Sequence, residues 1–118
     1  MSHIERKNRL NFVPVKYKNM LSVIKKIFGF GPSVNLQDLI KQGAKIVDVR
    51  TPAEFKQGHV KGAMNLPLQT LSSHLNKLNK DEVIITCCAS GMRSGAAKRL
   101  LKSQGFGNVH NGGSWTNL

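Results

Sequence analysis

Residues 83–95 read Val-Ile-Ile-Thr-Cys-Cys-Ala-Ser-Gly-Met-Arg-Ser-Gly, and the predicted fold is organised around this stretch. Its first part, 83–87, is short, apolar and rich in β-branched residues, a pattern typical of a strand that helices cover on both faces. Apolar residues then recur at helical spacing within 97–101, and Gly105 offers a stop. The sequence therefore places Cys88 in a short loop between a strand and a helix, at the sheet edge where open α/β folds bind ligands.

The remainder of the domain alternates short strands with helices. Strands are expected at 45–49 and 63–66 before the loop, and near 108–110 after it. Residues 51–54, Thr-Pro-Ala-Glu, form a capping box with proline at the first helical position, which predicts a helix start. Leucines spaced by three, four and three residues over 68–78 predict a further helix. This alternation predicts an α/β fold with a mostly parallel sheet of four to five strands and helices on both faces.

The loop favours an anionic thiolate at Cys88. A cysteine reacts as its thiolate, and its pKa of roughly 8.5 falls beside a helix N-terminus or a cation. Unpaired amides at the helix start point toward the loop, and Arg93 adds a planar, permanently charged fork of donors. Gly91 lets the backbone turn so that several N–H groups converge on one point. We therefore predict Cys88 as the nucleophile, with an anion held by Ala89, Ser90, Gly91, Met92, Arg93 and Ser94.

At these positions the chain resembles the rhodanese family of sulfurtransferases. Residues 88–94 match the Cys-x-x-Gly-x-Arg-Ser loop of its single-domain members. An upstream signature is matched by residues 48–63, which begin Asp-Val-Arg-Thr-Pro-Ala-Glu-Phe, and a third stretch by residues 105–113. The resemblance spans about residues 34 to 115 in the family's order and spacing. It implies a small, single-domain rhodanese-like fold.

The resemblance also implies a reaction. The family's cysteine takes a sulfane sulfur from a small anionic donor such as thiosulfate, becomes a persulfide and passes the sulfur to cyanide or a thiol. Transferred to this chain, that cysteine is Cys88, and no cofactor is implied. Asp48 and Arg50 end their strand at the edge that carries the loop, so they either border the pocket or form a structural ion pair. Four scattered histidines and two adjacent cysteines lack the spacing of metal ligands, so no metal site is predicted.

Cys87 leaves a second mechanism open. Counted from Cys87, Arg93 closes a Cys-x5-Arg loop, the pattern of cysteine phosphatases, and such a wider loop suits the three oxygens of phosphate or arsenate. Cys88 is favoured because it matches the family motif and because Cys87 continues the strand as a small buried residue. A third hypothesis, from another functional class, is a rhodanese-like binding module without catalysis.

Composition sets the outer bounds of these hypotheses. With 118 residues the chain has the length of one domain, and it contains no apolar run of roughly 18 residues that would span a membrane. Its two cysteines are adjacent and cannot form a disulfide framework, which indicates a reducing, cytoplasmic compartment. No signal peptide is visible at the start of the sequence. We expect a monomer.

Positive charge is concentrated near the N-terminus. The chain has a net charge of +12, and residues 1–33 carry seven basic groups against Glu5 alone. We interpret 1–33 as a partly disordered basic tail with a short amphipathic helix at 20–28, and 34–118 as the domain proper. The tail either contacts an acidic or membrane surface peripherally or is simply solvated. Nucleic acid is not expected as a partner, because no aromatic platform accompanies the charge.

Overall fold

The computed structural model describes residues 34–118, and the predicted basic tail with its helix at 20–28 lies outside them. No helix among the described residues is long and apolar enough to cross a membrane. Within residues 34–118, the α-helices are α1 (Leu36–Lys41), α2 (Pro52–Lys56) and α3 (Met92–Ser103), the strands are β1 (Lys45–Asp48), β2 (Met64–Asn65), β3 (Ile84–Cys88) and β4 (Val109–Ser114), and 3-10 helices occupy Leu68–Ser73, Leu75–Lys77 and Trp115–Asn117.

The strands of the described part form one parallel sheet in the order β2-β1-β3-β4. β1 and β3 are the central pair, and their register places Asp48 beside Cys87. Every residue of β3 is buried, which means that both faces of the sheet are covered. The predicted α/β fold with a mostly parallel sheet is therefore confirmed. The carboxyl ends of β1 and β3 lie side by side, so the residues that follow these two strands meet at one edge.

The predicted helix at 68–78 is instead a pair of 3-10 helices. Pro67 precedes the first, and His74, with φ −125° and ψ 21°, separates the two. Leu71 and Leu78 are nevertheless buried in the core. A 3-10 helix has three residues per turn, so side chains three apart share a face. The leucine spacing thus identified the buried face correctly and the helix type wrongly.

One apolar core fixes α3 against the sheet. It combines strand residues such as Val47 and Ile84 with Leu101 and Ala97 of α3. Each of these side chains is fully buried. Burying a large aliphatic side chain, such as that of Val47, Ile84 or Leu101, contributes roughly 1.5–3 kcal/mol to the free energy of folding. The anchored helix in turn holds the loop that connects it to β3. The position of the loop is therefore determined by packing on both sides of it.

Candidate active site

Cys88 is the last residue of β3, and the loop into α3 folds around its sulfur. The backbone N–H of Gly91 donates to Cys88 Sγ at 2.9 Å, and that of Ser94 donates at 3.4 Å. The Ser94 hydroxyl oxygen lies 3.4 Å from the same sulfur. Cys88 is fully buried. The loop therefore forms a small cradle with converging donors and one sulfur atom at its base.

These hydrogen bonds lower the pKa of the Cys88 thiol. Burial by itself raises the pKa, because it disfavours the charged form. The Ser94 hydroxyl and the amides of Ser94, Gly91 and Ser90 act in the opposite direction, and together they bring the pKa below its ordinary value. A larger fraction of Cys88 is therefore thiolate near neutral pH than in a free cysteine.

The left-handed backbone at Gly91 makes this cradle possible. Gly91 has a φ of 109° and immediately precedes α3. Its N–H faces the sulfur, while its carbonyl oxygen lies 3.1 Å from Ser94 Oγ. A residue with a side chain would be strained at this φ. Elsewhere in the loop Ala89 and Ser90 are exposed, and Met92 is 83% exposed, so these side chains lie on the solvent side of the cradle.

Cys87 lies in a different environment from Cys88. Consecutive strand residues point to opposite faces of a sheet, so the two thiols face apart. Burial raises the pKa of Cys87 to about 12, the Asp48 carboxylate and Cys88 add to that rise, and Arg50 opposes it. The thiol is therefore protonated at neutral pH. This environment matches the interpretation of Cys87 as a small buried strand residue.

Asp48 and Arg50 form a buried ion pair at the end of β1. The Arg50 guanidinium donates to the Asp48 carboxylate at 2.8–3.1 Å through Nε and Nη2. It also donates to the Gly58 carbonyl at 2.7 Å and lies 4.6 Å from the centroid of the Trp115 ring. The hydrogen bonds that Arg50 donates to Asp48 raise the pKa of Arg50. The pair thus ties the end of β1 to the segment that follows α2 and to Trp115.

Arg93 pairs with Glu54 of α2. Its two terminal nitrogens donate to the two carboxylate oxygens at 2.7 and 3.0 Å, and both side chains are about one-third exposed. Glu54 also accepts from the Thr51 backbone, and the Thr51 hydroxyl accepts from the Glu54 backbone, which completes the predicted capping box. Arg93 therefore joins the loop to α2, and its charge is balanced by a neighbouring carboxylate. Its predicted contact with a bound anion stays a prediction.

The sequence model of the rhodanese-like domain matches residues 34–116. The chain belongs to the rhodanese-like domain family. The described fold has the same architecture as solved members: the human single-domain sulfurtransferase TSTD1 superposes with a TM-score of 0.65 at 26% identity, over 70% of this chain and 87% of that chain. The cradle around Cys88 is thus the loop of a rhodanese-like domain.

Some curated relatives of this rhodanese-like domain carry sulfurtransferase names, and one, from Bacillus subtilis, is named only as an uncharacterized protein. The chain is 39% identical over 66 residues to a sulfurtransferase of Allochromatium vinosum, which covers 56% of this chain and 62% of that protein. It is 35% identical over 69 residues to the thiosulfate sulfurtransferase PspE of Escherichia coli K12, which covers 57% of this chain and 66% of that protein. Each alignment spans less than two thirds of the relative's own length.

The ion pair of Glu54 gives the rhodanese-like domain a pH-dependent stability. The Arg93 side chain and the Thr51 backbone lower the pKa of Glu54 from its ordinary value of 4.5 to about 2. A lowered folded-state pKa contributes stability above the unfolded value, and this contribution is lost as the pH falls through the folded value. We therefore expect Glu54→Gln to be less stable than the parent above about pH 5, with the difference narrowing toward pH 2.

Urea unfolding at a series of pH values measures this difference. The matched control is Glu82→Gln, which removes a carboxylate whose partner is the backbone amide of Asn79 rather than an arginine. A Glu54→Gln deficit that stays constant from neutral to acidic pH would show that the carboxylate charge is not what stabilises the domain.

Three contacts of the site were not predicted from the sequence. Glu54 was assigned only to the capping box, yet it also binds Arg93. Trp115 is not among the predicted site residues, yet its ring lies 4.6 Å from the Arg50 guanidinium. Asn111 is not among the predicted site residues either, although its Oδ1 lies 2.6 Å from Ser94 Oγ. The sequence feature that could have identified Asn111 as a site residue is its position directly before Gly112 and Gly113, within the third stretch that resembles the family.

Proposed function

We propose that this rhodanese-like domain is a sulfurtransferase in which Cys88 carries the sulfur as a persulfide. The observation that supports this most is the convergence of the Gly91 and Ser94 amides on Cys88 Sγ, at 2.9 and 3.4 Å. Donors aimed at a sulfur stabilise its anion, and the pKa of Cys88 is lowered accordingly. The sulfurtransferase names of its relatives support the same reaction class.

The first half-reaction transfers one sulfur atom to the protein. The Cys88 thiolate attacks the outer, sulfane sulfur of thiosulfate, and a new S–S bond forms. The bond between the sulfane sulfur and the sulfonate sulfur breaks, and sulfite leaves with its electron pair. Three negative charges are present before and after this step, so no proton is needed. A preformed thiolate therefore suffices, without a general base.

The second half-reaction regenerates the Cys88 thiolate. Cyanide or a thiolate acceptor attacks the terminal sulfur of the persulfide, and the S–S bond to Cys88 breaks. With cyanide the products are thiocyanate and the Cys88 thiolate. Ala89 and Ser90 are small and exposed, so we expect them to let an added sulfur extend from Cys88 and an acceptor approach it from solvent.

Loop amides and the start of α3 supply the positive potential for an anionic donor. α3 has twelve residues, and the partial positive charge at a helix N-terminus favours an anion. The charge of Arg93 is shared with Glu54, at 2.7 and 3.0 Å. We therefore assign donor binding mainly to the backbone N–H groups of the loop, with Arg93 holding the loop in place.

The experiment that tests the proposal measures thiocyanate and sulfite formation from thiosulfate and cyanide by the full chain. A phosphate ester and arsenate are offered in parallel assays. Equimolar sulfite and thiocyanate are expected, with no turnover of the phosphate ester. Turnover of the ester without thiocyanate would favour a phosphatase, although the pKa of about 12 makes Cys87 a poor nucleophile. No turnover in any assay would favour a binding module.

A further inference from the structure

We propose that Asn111 of β4 is a positioning residue of the sulfur site, because its carboxamide holds the two residues that hydrogen-bond to Cys88 Sγ. This inference rests on the proposed function, since it concerns the same thiol. Asn111 touches neither the sulfur nor the space above it through any hydrogen bond of the described structure; it acts through Gly91 and Ser94.

The orientation of the Asn111 carboxamide is fixed by backbone groups. Its Oδ1 accepts from the Gly113 N–H at 2.9 Å, and its Nδ2 donates to the Gly91 carbonyl at 3.1 Å. An N–H can only donate and a carbonyl can only accept, so the amide cannot be reversed. Asn111 Oδ1 can therefore only accept in its 2.6 Å contact with the Ser94 hydroxyl, whose single proton is shared between Asn111 Oδ1 and the Cys88 thiolate. One side chain therefore binds both Gly91, at the end of the loop, and Ser94, in the first turn of α3.

The residues that Asn111 binds are the residues that bind the sulfur. Gly91 donates its N–H to Cys88 Sγ at 2.9 Å, the shorter of the two amide contacts, and Ser94 donates at 3.4 Å. Gly91 has no side chain to restrict its backbone, so its orientation depends on what holds its carbonyl. That carbonyl accepts from Asn111 Nδ2 at 3.1 Å and from the Gly95 N–H at 3.0 Å. Losing the carboxamide would leave the Gly95 N–H as the remaining donor to this carbonyl, so the Gly91 N–H would be aimed less firmly at the sulfur.

Local features of β4 and α3 make room for this contact. Along β3, Thr86 pairs with Asn111 and Cys88 pairs with Ser114, so β4 carries one extra residue between the two pairs. Such a bulge changes the direction of nearby side chains and is frequent beside active sites. On the facing helix, a Cβ at Gly95 would lie 3.2 Å from Asn111 Nδ2. A glycine inside a helix is otherwise unfavourable, and here its missing side chain leaves space for the Asn111 amide.

The test measures the thiolate of Cys88 directly. The rate of iodoacetamide alkylation of Cys88 is followed by peptide mass between about pH 5 and pH 10, where Cys87 stays protonated. In Asn111→Ala we expect the pH midpoint of this reaction to rise by roughly half a unit to one unit, because the Gly91 and Ser94 donors are no longer held. Arg93 and Cys87, the titratable neighbours of Cys88, are unchanged in this variant. The matched control is Asn76→Ala, at an exposed residue of the second 3-10 helix.

The pH dependence of persulfide formation distinguishes a positioning role of Asn111 from direct contact with the sulfur donor. If Asn111 acts through the thiolate, persulfide formation by Asn111→Ala at neutral pH falls by about threefold to tenfold and recovers as the pH rises above the new midpoint. The KM for thiosulfate changes little in this case. A rate that stays low at high pH, together with a raised KM, would overturn the proposal, because it would place Asn111 on the donor.

Gly95→Ala keeps the test decisive if Asn111→Ala does not fold. Alanine is favoured over glycine in a helix, and its Cβ at 3.2 Å displaces the Asn111 amide by a few tenths of an ångström. We expect a smaller rise of the alkylation midpoint in the same direction. An unchanged or lowered midpoint in the folded variants overturns the inference. Alkylation needs no sulfur donor, so a raised midpoint supports the role of Asn111 even if the protein transfers no sulfur. An unchanged midpoint in a variant of an active sulfurtransferase rejects the role of Asn111 and leaves the proposed function standing.

Discussion

Replacing Cys88 by serine is expected to reduce thiocyanate formation from thiosulfate and cyanide by at least about a thousandfold. Serine has nearly the same size and occupies the same buried site, so the fold is retained. Its hydroxyl, however, stays protonated near neutral pH even with the Gly91 and Ser94 amides in place, and it forms no persulfide. The rate is measured with saturating thiosulfate and cyanide, beside circular dichroism to confirm the fold.

The neighbouring thiol provides a matched control for this loss. Cys87→Ser removes a sulfur of the same burial one residue earlier, and we expect activity within about threefold of the parent. The pKa of about 12 leaves Cys87 protonated, so no step of the proposed reaction uses it. The opposite pattern, with activity lost in Cys87→Ser and kept in Cys88→Ser, would transfer the nucleophile to the wider loop that ends at Arg93.

Asp48→Ala is expected to destabilise the domain by about 3–5 kcal/mol, the largest effect on stability that we predict. Asp48 is fully buried and Arg50 is 4% exposed, so the alanine leaves a guanidinium charge without its partner in the interior. The Asp48 carboxylate accepts four hydrogen bonds from Arg50, at 2.8–3.1 Å, and alanine replaces none of them. Chemical denaturation measures the difference in free energy of unfolding.

Two further variants isolate the buried charge as the cause. Asp81→Ala, in the exposed turn before β3, should change the free energy of unfolding by no more than about 0.5 kcal/mol. The double variant Asp48→Asn/Arg50→Met removes both charges and should recover part of the loss. A cost below about 1 kcal/mol for Asp48→Ala would mean that water or another group solvates Arg50, contrary to the described packing.

The parts of the fold that depend on local patterns were predictable from the sequence. The apolar run of β3 is buried at every position, and the capping box at Thr51 starts α2 as expected. The sequence predicts Cys88 in the loop directly after this run, whereas Cys88 is the last residue of β3, so the junction was placed to within one residue. Local patterns of this kind are set by neighbours in sequence, which a single chain displays directly.

The partners of side chains were much less predictable, because they lie far apart in the chain. Arg93 meets Glu54 across 39 residues, and Asn111 reaches Gly91 across 20. Neither contact leaves a periodic trace in the sequence, so the carboxylate partner of Arg93 was not predicted. Only the packing of α2, α3 and β4 around one edge of the sheet brings these residues together.

The intact mass of the protein after exposure to thiosulfate tests the central claim most directly. The account predicts a gain of one sulfur atom, located on the peptide that contains Cys88, present in Cys87→Ser, absent in Cys88→Ser and discharged by cyanide. A protein that forms thiocyanate without any gain in mass, or one whose added sulfur lies on Cys87, would contradict the account.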